Sequence, residues 1–175
     1  MATINAPKDG ITGHLITINT VHHKIHTGTV FSFTEVINLG VSGAQDYLIT
    51  TPNSAVQPHF GFNAIGTGIL TVQLYEDTDK AGSVAQTLVC RRRNDPSTPS
   101  TTLHKGTTGG TTDGTLLLTW KTGNSGISLN ASMGTAEELV LDTNSKYILR
   151  FTSGTASQDI SINLSWYEEF NRFIA

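Results

Sequence analysis

The densest group of potential metal ligands in the chain is His22, His23 and His26, in the segment VHHKIHTG. His22 and His26 share one face in either a helix or a strand, as two imidazoles must to meet one ion. No Cys or carboxylate lies close by to complete a set, and the segment is not strongly helical. A solvated arm is therefore expected here, and no metal is assigned. Glu76 to Gly82 (EDTDKAG) resembles the start of a calcium loop, but Ala81 and Leu88 stand where oxygen ligands are required. A solvated turn is the reading. Arg91, Arg92, Arg93 and Asn94 form the only dense positive charge. Guanidinium forks pair bidentately with carboxylates and are enriched at interfaces, so the run reads either as an interface anchor or as a solvated loop.

No catalytic set emerges. Gly40-Val41-Ser42-Gly43 falls short of G-x-S-x-G. Glu168 and Glu169 are adjacent, so in a strand they face opposite ways and cannot flank one bond. There is no P-loop and no dinucleotide fingerprint. No catalytic residue and no cofactor is assigned, and the chain is read as a non-enzyme.

The elements around these residues read as strands. Ile160, Ile162, Leu164 and Trp166 alternate with Ser161, Asn163, Ser165 and Tyr167, a period of two with one apolar face. With Tyr147 to Thr152 and the connection SGTASQD before it, Lys146 to Glu168 reads as a closing hairpin. Further strands are expected over Gly28–Leu39, Tyr47–Thr50, Val56–Ala64, Gly68–Glu76, Val84–Cys90, Ser100–His104 and Thr115–Trp120, and Glu137–Leu141 leads into the turn before the hairpin. Pro58 suggests an edge or a bulge. Lys105–Gly114 and residues 121–135 read as loops, and the only helix-compatible pieces lie around Glu137 and after Glu168. Eight to ten short strands without a helical period argue for a single antiparallel β-sandwich, and a jelly roll fits the count best. Residues 1–27, where only His14–Ile18 has strand character, read as an N-terminal arm ordered by a partner or as a first edge strand with a frayed tail. The sandwich domain is then 28–175.

Composition narrows the function. The chain has 175 residues, enough for one domain burying about 70% of its unfolded surface. Its net charge of −3 argues against general nucleic-acid binding. One cysteine, Cys90, rules out an intrachain disulfide and suits a reducing cytoplasm. No apolar run approaches bilayer-spanning length, and the first ten residues lack the pattern of a signal peptide. A soluble protein with no membrane partner is expected.

Several stretches, in this order, carry a family resemblance. They are Lys24-Ile25-His26-Thr27-Gly28 leading into a Phe-containing strand, Leu48-Ile49-Thr50-Thr51-Pro52-Asn53, Val72-Gln73-Leu74-Tyr75-Glu76 and the Arg93-Asn94 turn. Thr143-Asn144-Ser145-Lys146-Tyr147-Ile148-Leu149-Arg150 and the terminal Trp166-Tyr167-Glu168 complete the set. From about residue 24 to 169 the chain resembles small virion proteins of tailed bacteriophages, the head decoration (cement) proteins or closely similar structural proteins. The resemblance implies a jelly-roll-like sandwich, made in the host cytoplasm, that binds the outer surface of an assembled capsid and stabilises it as a homo-oligomer. Its partners would be the major capsid protein and other copies of itself; a trimer is expected, because capsids offer threefold positions. The resemblance assigns no residue roles. Exposure and charge put the contacts at His22, His23, Lys24 and His26 in the arm and at Arg91, Arg92, Arg93 and Asn94. The alternative is a tail-associated adhesion module that binds host glycans, which needs an exposed aromatic platform. A carbohydrate-active enzyme would need paired carboxylates in a cleft.

Overall fold

The computed structural model describes residues 20–123, 129–132, 138–154 and 157–170. A short helix, α1 (Thr20–Thr27), precedes twelve strands: β1 (Val30–Gly40), β2 (Ala44–Thr50), β3 (Val56–Gly66), β4 (Leu70–Glu76), β5 (Ala81–Ala85), β6 (Val89–Cys90), β7 (Thr102–Thr108), β8 (Thr115–Thr122), β9 (Leu129–Ser132), β10 (Leu139–Val140), β11 (Lys146–Ser153) and β12 (Ser157–Phe170). They form two antiparallel sheets. Sheet I runs β10-β3-β12-β1-β6, with β9 also on β3; sheet II runs β5-β7-β2-β11-β4-β8. The chain is thus an all-β antiparallel sandwich. It alternates between sheets in passing from β1 to β4 and again from β8 to β12, where β9 and β10 together form one visit to sheet I beside β3; this is the connectivity of a jelly roll, with β5–β7 inserted between β4 and β8.

The expected closing hairpin is not formed. β11 pairs with β2 and β4 in sheet II, whereas β12 pairs with β1 and β3 in sheet I. Alternation shows which face of a strand is buried but not which strand lies beside it. Two successive strands packed face to face across a core give the same pattern as a hairpin with one buried face.

Packing follows the alternation. Ile160, Ile162, Leu164 and Trp166 face inward and are at most 3% exposed. They meet Phe31 and Phe33 of β1, Phe60 and Phe62 of β3, and Tyr47, Leu74, Leu149 and Phe151 of sheet II in one core. Aromatic edges organise it: Tyr47 lies 5.8 Å from both Phe33 and Phe151, and Phe62 meets Trp120 edge-on at 4.9 Å. Phe151 has no exposed surface, so truncation to Ala costs about 3–5 kcal/mol.

Other boundaries shift. β7 continues to Thr108 inside the expected Lys105–Gly114 loop, β9 lies within the expected 121–135 loop, and β12 stays a strand through Phe170 where a helix was admissible. Pro58 lies inside β3, beside the end of two-residue β10, and its carbonyl accepts from the Leu141 N–H at 2.9 Å. Gly40–Gly43 is the turn from β1 to β2, closed by the Gly43 N–H on the Gly40 carbonyl, with Ser42 at a φ of 54°. The strand expected over His14–Ile18, and most of the 1–27 arm, fall outside the described residues.

Candidate interface

Residues 20–27, expected as arm, form α1. Gly28 stops the helix at a φ of 77°. Its N–H bonds the Ile25 carbonyl and the Thr29 N–H bonds the Lys24 carbonyl, both at 3.1 Å. These are the paired bonds of a Schellman cap, which requires a left-handed residue and so favours Gly. Two hydroxyls, from Thr27 at 2.9 Å and Thr29 at 3.3 Å, also donate to the Lys24 carbonyl. A glycine past a last turn containing Lys24 and His26 is a readable helix stop; that signal could have found α1.

The same glycine joins the helix to the arginine run. The Gly28 carbonyl accepts from Ser97 Oγ and, at 3.5 Å, from the buried Cys90 thiol. The Arg92 stem lies over Gly28, its Cδ 3.4 Å from where a Cβ would stand. The Arg91 N–H bonds the Val30 carbonyl at 2.9 Å. Gly28 therefore joins the end of α1, the helix that carries His22, His23, Lys24 and His26, to the segment after β6 that carries Arg91, Arg92, Arg93 and Asn94, at the end of sheet I where β1 begins. The sequence named both groups without linking them.

The eight residues differ in what they can offer a partner. His22, His23, His26, Arg91, Arg93 and Asn94 are exposed. Lys24 is committed internally: its Nζ meets Glu169 Oε1 at 2.8 Å and lies 5.7 Å from the Tyr167 ring centre. Arg92 pairs with Asp95 at 3.0 Å. Among the described residues no carboxylate pairs with Arg91 or Arg93.

Lys24 leads into a polar cluster that sequence reasoning missed. His59 and Tyr167, cross-strand partners on β3 and β12, stack with ring centres 4.3 Å apart. Glu138 Oε1 accepts from the Tyr167 hydroxyl at 2.8 Å and lies 3.1 Å from His59 Nδ1. Burial and the bond to Glu138 both push the Tyr167 phenol upward, so it stays a donor. Through Glu169 and Lys24 this cluster fastens α1 to sheet I.

Several other charged groups among the described residues are paired within the chain. Arg150 holds Asp46 through Nε at 2.7 Å and Nη2 at 2.8 Å, and reaches Asp113 at 2.7 Å; Lys80 also pairs with Asp113, and Lys105 with Glu35. Asp79, from the calcium-like stretch, is taken up by the Thr111 and Thr112 N–H groups at 2.9 and 3.0 Å, which hold its carboxyl below the usual range. Among the described residues no group of three or more His, Cys, Asp or Glu is arranged to hold a metal ion, and no helix is long and apolar enough to cross a membrane. Comparison with family models, with curated proteins and with solved structures returns no match for this chain.

Proposed function

We propose that the chain is a virion structural protein that decorates and stabilises the outer surface of a bacteriophage capsid as a homo-oligomer, with the α1 and Arg91–Asn94 end as its contact surface. The observation that carries the choice of surface is the contrast in charge pairing. Lys24, Lys80, Arg92, Lys105 and Arg150 all hold carboxylates within the chain, whereas among the described residues Arg91 and Arg93 are two exposed cations without one, on a single turn; Lys121 on β8 is exposed in the same way but stands alone. Exposed guanidinium groups on a chain of net charge −3 suit a carboxylate-bearing partner surface. The family resemblance supplies the partner, the major capsid protein.

The mechanism is linkage. A protein that binds the assembled shell and not free subunits shifts the equilibrium towards the shell. Several copies joined in one oligomer, each with a modest contact, gain avidity. Co-sedimentation with capsids tests the surface: Arg91→Glu with Arg93→Glu should weaken capsid binding at least tenfold, about 1.4 kcal/mol, while leaving unfolding unchanged. Full binding by that variant would remove the arginines from the account.

A second reading, glycan binding, has one specific feature to recommend it. Thr34, Val36, Asn63, Ile65, Ser161 and Asn163 line a groove of about 510 Å³ on the outer face of sheet I. Its amides and hydroxyls could serve a sugar, but the lining has no aromatic ring for stacking, which favours the decoration reading.

A further inference from the structure

α1 turns two of the exposed histidines into a chelate. His22 and His26 stand one helical turn apart, and their Nε2 atoms are 3.0 Å from each other. The rings meet edge-on, with centres 4.6 Å apart and planes at 72°. With metal–nitrogen bonds of about 2.0–2.1 Å, that separation corresponds to a nitrogen–metal–nitrogen angle of about 90–97°. This is the angle between neighbouring positions of a square-planar or tetragonal ion, and it is narrower than a tetrahedral ion prefers.

We propose that His22 and His26 form a two-histidine site for a divalent transition ion of tetragonal preference, Cu²⁺ first and Ni²⁺ next. Without metal, one Nε2–H must donate to the other Nε2, so the rings hold opposite tautomers. An ion takes the place of the shared proton, which passes through solvent to the Nδ1 of the ring that carried it: both rings then present an Nε2 lone pair and carry their one proton on Nδ1. The ordering of these ions follows the general affinity series, with Cu²⁺ strongest for imidazole. Both rings are exposed, so the ion's remaining positions open outward to water or to a ligand from a neighbouring molecule. Lys24, between the two histidines in sequence, holds Glu169 and the helix cap, so α1 is anchored before any ion binds. His23 is exposed too, but sits about 100° around the helix from His22 and makes no such pair. The site does not depend on the capsid reading.

The test is titration of the untagged full-length chain with Cu²⁺, followed by calorimetry and by electron paramagnetic resonance. One ion per chain is expected, with a tetragonal spectrum split by two imidazole nitrogens. His22→Asn and His26→Asn should each weaken binding at least about tenfold, because each loses the second, preorganised ligand. His23→Asn should stay within twofold of the wild type. Cu²⁺ should raise the melting temperature of the wild type and not of His26→Asn, which the exposed position of His26 leaves folded. Equal affinity in the wild type and the His22→Asn/His26→Asn double variant would overturn the proposal, since the ion would then sit elsewhere.

Discussion

The Tyr47 hydroxyl donates to Glu35 Oε2 at 2.5 Å and so ties sheet II to sheet I across the core. Glu35 faces inward from β1, and its other carboxylate oxygen receives Lys105 from β7. Burial and the carboxylate together push the Tyr47 phenol far upward, which keeps it a donor. Tyr47 is fully buried, so losing either partner strands a polar group.

Chemical unfolding of Tyr47→Phe should show a loss of about 1 kcal/mol, and of Glu35→Ala about 1–3 kcal/mol, because the latter leaves both Tyr47 and Lys105 unpartnered. The double variant should lose less than the sum, with coupling of about 0.5 kcal/mol or more. Strict additivity would show that the two groups do not act as a unit.

Acid should attack the outer face of sheet II through Asp113. Hydrogen bonds from Arg150, then from Lys80, lower its carboxyl to about 2. A depressed folded value means that the stability is present above the unfolded value, roughly 3.9, and is lost as pH falls through about 2. Asp113→Asn should therefore cost about 1–2 kcal/mol at neutral pH. Its melting temperature should also fall less steeply than the wild type's between roughly pH 4 and pH 2. Parallel acid profiles for the two proteins would contradict this.

Glu168 is buried and holds a loop from inside. Its carboxylate accepts from the Ser100 N–H at 2.9 and 3.0 Å, from the Thr101 N–H at 2.8 Å and from Trp166 Nε1 at 3.4 Å. Glu168→Ala leaves these donors without an acceptor and should cost about 1–3 kcal/mol. Hydrogen exchange should speed up at Ser100 and Thr101 well before the β11–β4 amides. Unchanged protection at those two amides would refute the role.

The strands that sequence reasoning reads best are those with one plainly apolar face. Ile160 to Trp166, Leu70 to Leu74 and Phe60 with Phe62 all point where alternation puts them. The hairpin expectation failed for a topological reason. A jelly roll sends its last two strands to opposite sheets, so a closing hairpin and a jelly roll exclude each other; only the second is present. α1 was missed because TVHHKIHT offers only Val21 and Ile25 as large apolar residues, so it has little apolar stripe to display. What identifies it is the Gly28 cap. Of the candidate interface, the residue types were legible and the link between α1 and the arginine turn was not, since it depends on Gly28 contacting Arg92 and Ser97 from 64 and 69 positions away. The network joining Asp46, Asp113 and Arg150 is equally long-range and leaves no local pattern.

The arm can be separated from the arginines. Removing residues 1–22 leaves Lys24, its Glu169 partner and the Gly28 cap in place, so the sandwich should still unfold cooperatively. Capsid co-sedimentation should weaken. Binding indistinguishable from the full chain would discard the arm and leave the contact to the Arg91–Asn94 turn.

The central claim is where the protein sits. Electron microscopy of purified particles, compared with particles lacking this chain, measures that directly. The decoration account predicts added density on the outer capsid surface, repeating with the shell's symmetry, with the α1 and Arg91–Asn94 end against the capsid protein. Density confined to the tail tip, with a bare capsid surface, would contradict it and favour the adhesion reading.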